Sequence, residues 1–178
     1  YGMPIRVHLR TGAKKEIRPK GSALRFEWNT PIEISPQDPK RIYIAAQKLF
    51  ESTNQGDTWK EISGDLTKTK LGAITVIGLS PLDEKVLWVG SNDGAVHVSQ
   101  DRGASWREVP ITGLSELLWI TRIEPSSTHV GQAFLTAEGR RKNDHKPYVF
   151  QTRDFGKSWT ELTNGLPQDE PVYVIRQD

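Results

Sequence analysis

Ser99-Gln100-Asp101-Arg102-Gly103-Ala104-Ser105-Trp106 decides the fold, because the chain writes this octapeptide three times. Upstream stands Ser52-Thr53-Asn54-Gln55-Gly56-Asp57-Thr58-Trp59, and downstream Thr152-Arg153-Asp154-Phe155-Gly156-Lys157-Ser158-Trp159. Each has a hydroxyl residue, an Asp or Asn two places on, then Gly, then Trp. The tryptophans are 47 and 53 residues apart. A second landmark recurs at a similar interval: Ser35-Pro36, Ser80-Pro81 and Pro125-Ser126, with prolines 45 and 44 residues apart. Two independent landmarks at one spacing define a repeat protein, and a repeat is read before anything else.

Each unit reads as four short strands. The alternation predicts strands at 31–35, 42–46, 49–52 and 59–62, then at 74–79, 86–90, 95–99 and 106–109. The third unit gives 119–123, 133–137, 148–152 and 159–162. Val, Ile, Tyr, Phe and Trp at period 2, broken by Gly, Pro, Asn and Asp, carry that reading. No window supports a helix of ten or more residues. Four-stranded units of about 40–50 residues are propeller blades, so the fold class is an all-β propeller fragment of about three antiparallel blades. Gly56, Gly103 and Gly156 supply positive φ between the third and fourth strands. Asn54, Asp101 and Asp154 accept hydrogen bonds from turn amides, with Ser52, Ser99 and Thr152 adding hydroxyls. Trp59, Trp106 and Trp159 are expected to fold back between their own sheet and turn.

Composition narrows the function. The 178 residues suffice for one domain with a real core. A net charge of +2 gives no electrostatic footprint for nucleic acid or an anionic membrane. No apolar run is long enough for a membrane span, and no signal peptide is visible. With no cysteine, disulfides and thiolate metal sites are excluded. No cofactor motif and no metal set is expected; Asp144 and His145 are two ligands where three or four are needed.

The octapeptides resemble the Asp-box, or bacterial neuraminidase repeat. The wider pattern is similar to sortilin-type, glycosyl-hydrolase-like propellers of secreted bacterial proteins. It is carried by Arg25-Phe-Glu-Trp28-Asn-Thr-Pro31, Leu79-Ser-Pro81, Leu87-Trp-Val-Gly-Ser-Asn-Asp-Gly94 and Pro147-Tyr-Val-Phe-Gln-Thr152. The resemblance implies that the boxes lie on the propeller periphery, away from the binding face, and that the chain is extracellular or periplasmic. Asn54 departs from the box's Asp but accepts the same bonds.

The division expected is a partial blade and linker at 1–24, blades at 25–65, 66–112 and 113–166, and the first strand of a following blade at 167–178. A hairpin is expected from 5–9 and 15–17, and 14–22 reads as an exposed basic linker. Rings of this type have six to ten blades by resemblance, so the open edges are expected to meet the rest of a propeller or further copies of the chain.

Two functions compete. One is a non-catalytic binding or scaffold module recognising protein or glycan; the other is part of a sialidase-like or xyloglucanase-like glycoside hydrolase. A sialidase needs three arginines around a carboxylate site; Arg122, Arg140, Arg141 and Arg176, near Glu124 and Glu138, show no telling spacing. A xyloglucanase-type site needs an aspartate pair, and Asp93, Asp101, Asp144 and Asp154 are available in name. Asp101 and Asp154 belong to turns, and Asp93 sits in the hairpin signal Asn92-Asp93-Gly94, read as solvated. The absence of a clear acid pair favours the binding module. Candidate binding residues are Trp28 and Asn29 before the first strand, and Arg140, Arg141, Asp144 and His145 in the insertion 138–146. The competing reading of that insertion is a solvated charged hairpin. Trp88 and Trp119 are expected to pack between blades.

Overall fold

The computed structural model describes residues 3–21, 23–114 and 117–177. It opens with a hairpin of β1 (Ile5–Val7) and β2 (Lys14–Glu16). Three antiparallel four-stranded sheets follow in chain order. Sheet one holds β3 (Ile32–Ile34), β4 (Ile42–Ala45), β5 (Leu49–Ser52) and β6 (Lys60–Glu61). Sheet two holds β7 (Ile74–Leu79), β8 (Leu87–Ser91), β9 (Val96–Ser99) and β10 (Arg107–Glu108). Sheet three holds β11 (Trp119–Pro125), β12 (Ala133–Gly139), β13 (Asp144–Thr152) and β14 (Thr160–Glu161). Every expected blade strand is present, and the fourth of each is clipped to two residues. The tail 163–177 makes no strand among the described residues.

The core lies between successive sheets. Tyr43, Ala45 and Leu49 of sheet one pack with Ile74, Ile77, Leu87 and Val89 of sheet two. Trp88 and Val98 of sheet two pack with Ile120, Ile123 and Leu135 of sheet three. Neighbours along one strand serve opposite faces: Tyr43 meets sheet two, while Ile44 packs with Phe50, Leu24 and Phe26. This is the two-residue period of a strand buried on both faces. Sheets two and three approach closely at Gly90, where an added Cβ would lie 2.5 Å from Ile120 Cγ2.

The octapeptide turns repeat almost atom for atom. Ser99 Oγ accepts from the amides of Asp101 (3.3 Å) and Gly103 (2.8 Å) and donates to Asp101 Oδ1 (2.8 Å). Asp101 Oδ1 accepts from the Ser105 amide at 2.8 Å, and Oδ2 from its hydroxyl at 2.5 Å. Thr152 and Asp154 make the same set with Gly156 and Ser158. In the first turn Asn54 Oδ1 accepts from the Thr58 amide at 2.9 Å, and its Nδ2 donates to the Thr58 hydroxyl at 2.9 Å. The amide therefore reproduces the carboxylate by reversing one bond. The residue before each glycine also has positive φ: Gln55 60°, Arg102 57°, Phe155 59°.

One expectation needs correction: the tryptophans do not fold back on their own turns but reach the preceding sheet. Trp106 Nε1 donates to the Ile62 carbonyl at 2.9 Å, and Trp59 Nε1 to the Ile17 carbonyl at 2.6 Å. The adjacent glycines press on the same residues. A Cβ on Gly103 would lie 2.9 Å from Ile62 O, one on Gly56 2.8 Å from Ile17 Cβ, and one on Gly156 2.9 Å from Val109 Cγ1. Ile62 and Val109 follow the fourth strands of sheets one and two, in Lys60-Glu61-Ile62 and Arg107-Glu108-Val109, and Ile17 follows the second strand of the hairpin in Lys15-Glu16-Ile17. Each turn is thus a latch that fastens a sheet to the one before it. Ile17 is buried for this reason, and Pro19 with it, while Lys14, Lys15, Glu16, Arg18 and Lys20 of the expected linker 14–22 are exposed.

The turn carboxylates set an acid limit. The Ser158 hydroxyl, then its amide, hold the Asp154 carboxyl down to about 2 from 3.8. The native carboxylate stays charged where the unfolded one takes a proton. Its contribution is complete above about pH 4 and is lost as pH falls through about 2. Asp154→Asn, following Asn54, is expected to flatten the decline of the urea midpoint between pH 5 and 2.5. Equal declines in both proteins would contradict this.

Candidate functional site

Strand direction sorts the loops. Octapeptide turns and Ser-Pro corners join first to second and third to fourth strands, so they share one end of the sheets. The segments entering each first strand and the β12–β13 connection share the other end. There Glu27, Asn29, Trp119, Glu138, Arg141 and Tyr173 line an open cleft of about 420 Å³. It draws on the segment before sheet one, on sheets two and three, and on the tail.

The walls are held by specific bonds. Glu27 Oε1 accepts from the Trp28 amide at 2.9 Å, and Oε2 from Asn92 Nδ2 at 2.8 Å. Asn92 Oδ1 accepts from the Ala73 amide, so the wall is tied to sheet two. Arg25 adds bonds to the Gly72 carbonyl and Asp65. Thr136 Oγ1 donates to the Tyr173 carbonyl at 3.0 Å and holds the tail against sheet three. Thr75 Oγ1 makes the corresponding bond to the Ile120 carbonyl, from sheet two to sheet three.

The insertion 138–146 is more ordered than its charges imply. β12 runs to Gly139 and β13 begins at Asp144, leaving a short 3-10 turn at Arg140–Lys142 and a left-handed Asn143 with φ 58°. Gly139 faces Asp144 across the pair, and its Cβ would lie 2.8 Å from Asp144 Cβ. The Arg141 guanidinium lies 4.1 Å over the Trp119 ring, and that of Arg140 lies 5.0 Å over Tyr173. At these distances a guanidinium is attracted to the ring face. The Glu138 carboxylate accepts from the Arg140 amide at 2.8 Å.

Of the sequence candidates, Asn29 and Arg141 line the cleft, and Arg140 covers a ring that does. Trp28, 68% exposed, stands between two lining residues. Asp144 is directed elsewhere: the Tyr148 hydroxyl donates to it at 2.6 Å and holds its carboxyl below the usual range. His145 is exposed and stands 3.4 Å from Asn143 Oδ1. Trp119 is only partly buried and forms a cleft wall, whereas Trp88 is fully buried between sheets. Glu27 and Tyr173 are the lining residues that the sequence does not single out, and Glu138, which opens the insertion, joins them in the cleft.

The acids of the competing readings have other work. Asp93 is not solvated: at 5% exposure its Oδ2 accepts from the amides of Lys68 and Thr69 and from the Thr69 hydroxyl. Burial without donors would be costly, and these bonds offset it. Arg122 and Arg176 both bind Glu124, away from Arg140 and Arg141, so no arginine triad forms. No group of three metal-binding side chains occurs among the described residues. No described helix is long and apolar enough to cross a membrane.

Four-stranded sheets stacked around a face of loops, latched edge to edge, define a β-propeller segment. The family model Sortilin-Vps10 (Sortilin, neurotensin receptor 3) matches residues 47–168, and the chain belongs to that family. A xyloglucanase of Paenibacillus sp is 27% identical over 174 residues, covering 76% of this chain and 17% of the relative. An oligoxyloglucan-reducing end-specific xyloglucanase of Emericella nidulans is 24% identical, covering 81% of this chain and 19% of that protein. The chain thus spans about a fifth of the length of these curated relatives. Among solved structures, an ancestral GH74 enzyme superposes with TM-score 0.62 at 16% identity, covering 86% of this chain and 20% of its own. The GH74 xyloglucanase of Xanthomonas campestris gives 0.58 at 16% identity, with 89% and 26% covered. The Dos1 propeller gives 0.57 at 13% identity, with 79% and 36% covered. At such identities these likenesses establish the fold alone.

Proposed function

We propose that this chain is a non-catalytic glycan-binding sector of a larger, extracellular β-propeller. One observation carries the reading: the cleft sets the rings of Trp119 and Tyr173 among Asn29, Glu138 and Arg141. A saccharide has apolar C–H faces and hydroxyl edges. It suits a site of aromatic walls with a few convergent donors and acceptors. The curated relatives named as xyloglucanases support a saccharide ligand.

Those same relatives favour a second reading, a sector of a glycoside hydrolase. Hydrolysis needs two carboxylates, one of them protonated toward the leaving group. The cleft offers Glu27 and Glu138, but both Glu27 oxygens already accept from fixed donors. Neither is left to carry a proton toward a glycosidic oxygen, so binding without cleavage fits better.

Titration with neutral and acidic oligosaccharides, xyloglucan fragments included, is expected to show saturable binding without release of reducing sugar. Trp119→Ala is expected to weaken it at least tenfold, about 1.4 kcal/mol. No binding to any saccharide would sink the reading, and sugar release abolished by Glu138→Gln would replace it with the hydrolase.

A further inference from the structure

Seven of the twelve arginines of this chain are paired with carboxylates, and Arg10, Arg107 and Arg153, which are not, do not line the cleft. Arg6, Arg18, Arg25, Arg41, Arg102, Arg122 and Arg176 all have carboxylate partners. Arg140 and Arg141 have none among the described residues and instead lie over Tyr173 and Trp119. A guanidinium lying over a ring keeps its N–H groups pointing outward in its own plane. Such a group is oriented in advance and still free to take an oxyanion in bidentate fashion.

The surroundings point the same way. The acids of the cleft and turn accept fixed bonds: Glu27 from the Trp28 amide and Asn92, Glu138 from the Arg140 amide, and Asp144 from the Tyr148 hydroxyl and the Lys146 amide. His145 and Lys146 add further basic groups on the exposed start of β13. Arg141 of the 3-10 turn lines the cleft, and Arg140 of the same turn lies over Tyr173, another lining residue. Asn29 and Glu27 come from the segment before sheet one.

We propose that the cleft selects a carboxylated saccharide, a uronic acid unit whose carboxylate sits on Arg141 with Arg140 beside it. Its hydroxyls meet Asn29 and Glu138. This rests on the glycan-binding reading above and adds the charge of the ligand to it. A neutral saccharide uses the rings and hydroxyl partners but leaves both guanidiniums without an anion.

The test uses the whole chain and trimers of galacturonate, glucuronate and mannuronate, each paired with its carboxyl-reduced, neutral counterpart. At least one acidic trimer is expected to bind ten times more tightly than its partner. Arg141→Gln, which leaves an exposed turn residue uncharged, is expected to erase that preference, and raised salt to shrink it. Arg141→Lys is expected to keep part of it. If every acidic trimer binds only as well as its reduced partner, the proposal falls and the glycan reading stands. If no trimer, acidic or neutral, binds, the proposal falls, and the glycan reading falls with it only if the xyloglucan fragments also fail to bind. If triglutamate binds as tightly as the best uronate, the site recognises anions in general and the saccharide assignment is wrong.

Discussion

Trp106→Ala is expected to destabilise the chain by about 3–5 kcal/mol, the range for removing a large packed aromatic. The ring packs on the core shared by sheets one and two, and its Nε1–H meets the Ile62 carbonyl. Alanine removes the contact, leaves a cavity between the sheets and orphans that carbonyl. For a domain of this size the melting temperature is expected to fall by roughly 6–20 °C. Asp101→Ala removes bonds inside an exposed turn, where water replaces the lost partners, and its loss is expected to be smaller. Thermal melts of both variants settle the order. An equal or larger loss at Asp101 would mean that turn geometry, not the latch, carries the energy.

Gly103→Ala is the second large effect, and it adds one carbon. The backbone there has φ +84°, where an L side chain costs about 1–2 kcal/mol. The added Cβ would also lie 2.9 Å from the Ile62 carbonyl oxygen and 3.0 Å from Ile62 Cδ1. Backbone cannot yield cheaply, so the two sheets would have to part. Overpacking of this kind adds about 1–3 kcal/mol. The expected total is about 2–5 kcal/mol, read from urea unfolding. Gly113→Ala is the control: its φ is +88°, yet nothing lies within 4 Å of the added Cβ. It carries the conformational cost without the collision. If the two variants lose the same amount, Gly103 is needed for its φ alone and the close approach is not a constraint.

The fold was legible because its signals are local and repeated. Strand alternation, Ser-Pro corners and octapeptides each act within a few residues, and three copies reinforce one another. What the octapeptide does was less legible. The hydroxyl and Asp act inside the turn and could be read from spacing, but Trp106 and Gly103 act on Ile62, in another blade. Only the assembled stack reveals that partner. The same limit explains Asp93, whose turn sequence suggests solvent but whose carboxylate binds loop amides some 24 residues away in sequence. At the cleft, Asn29, Arg140 and Arg141 stood out as polar groups in loops. Glu27, Glu138 and Tyr173 are widely separated in sequence, and only the sheet ends bring them together. Trp119 looked like core because its strand is apolar; an edge position and the arginine above it make it a wall.

The turns that join blades lie at one end of the sheets and the cleft at the other, and the latch is what fastens each sheet to the one before it. A double-mutant cycle between Ile62 and Trp106 tests it most directly. The variants are Ile62→Ala, Trp106→Ala and the pair, each measured by urea unfolding. Residues in contact show coupling of about 0.5–3 kcal/mol. The latch predicts a value in that range, with the double variant losing less than the sum of the single losses. Losses that add to within about 0.3–0.5 kcal/mol, as for distant and independent sites, would contradict it.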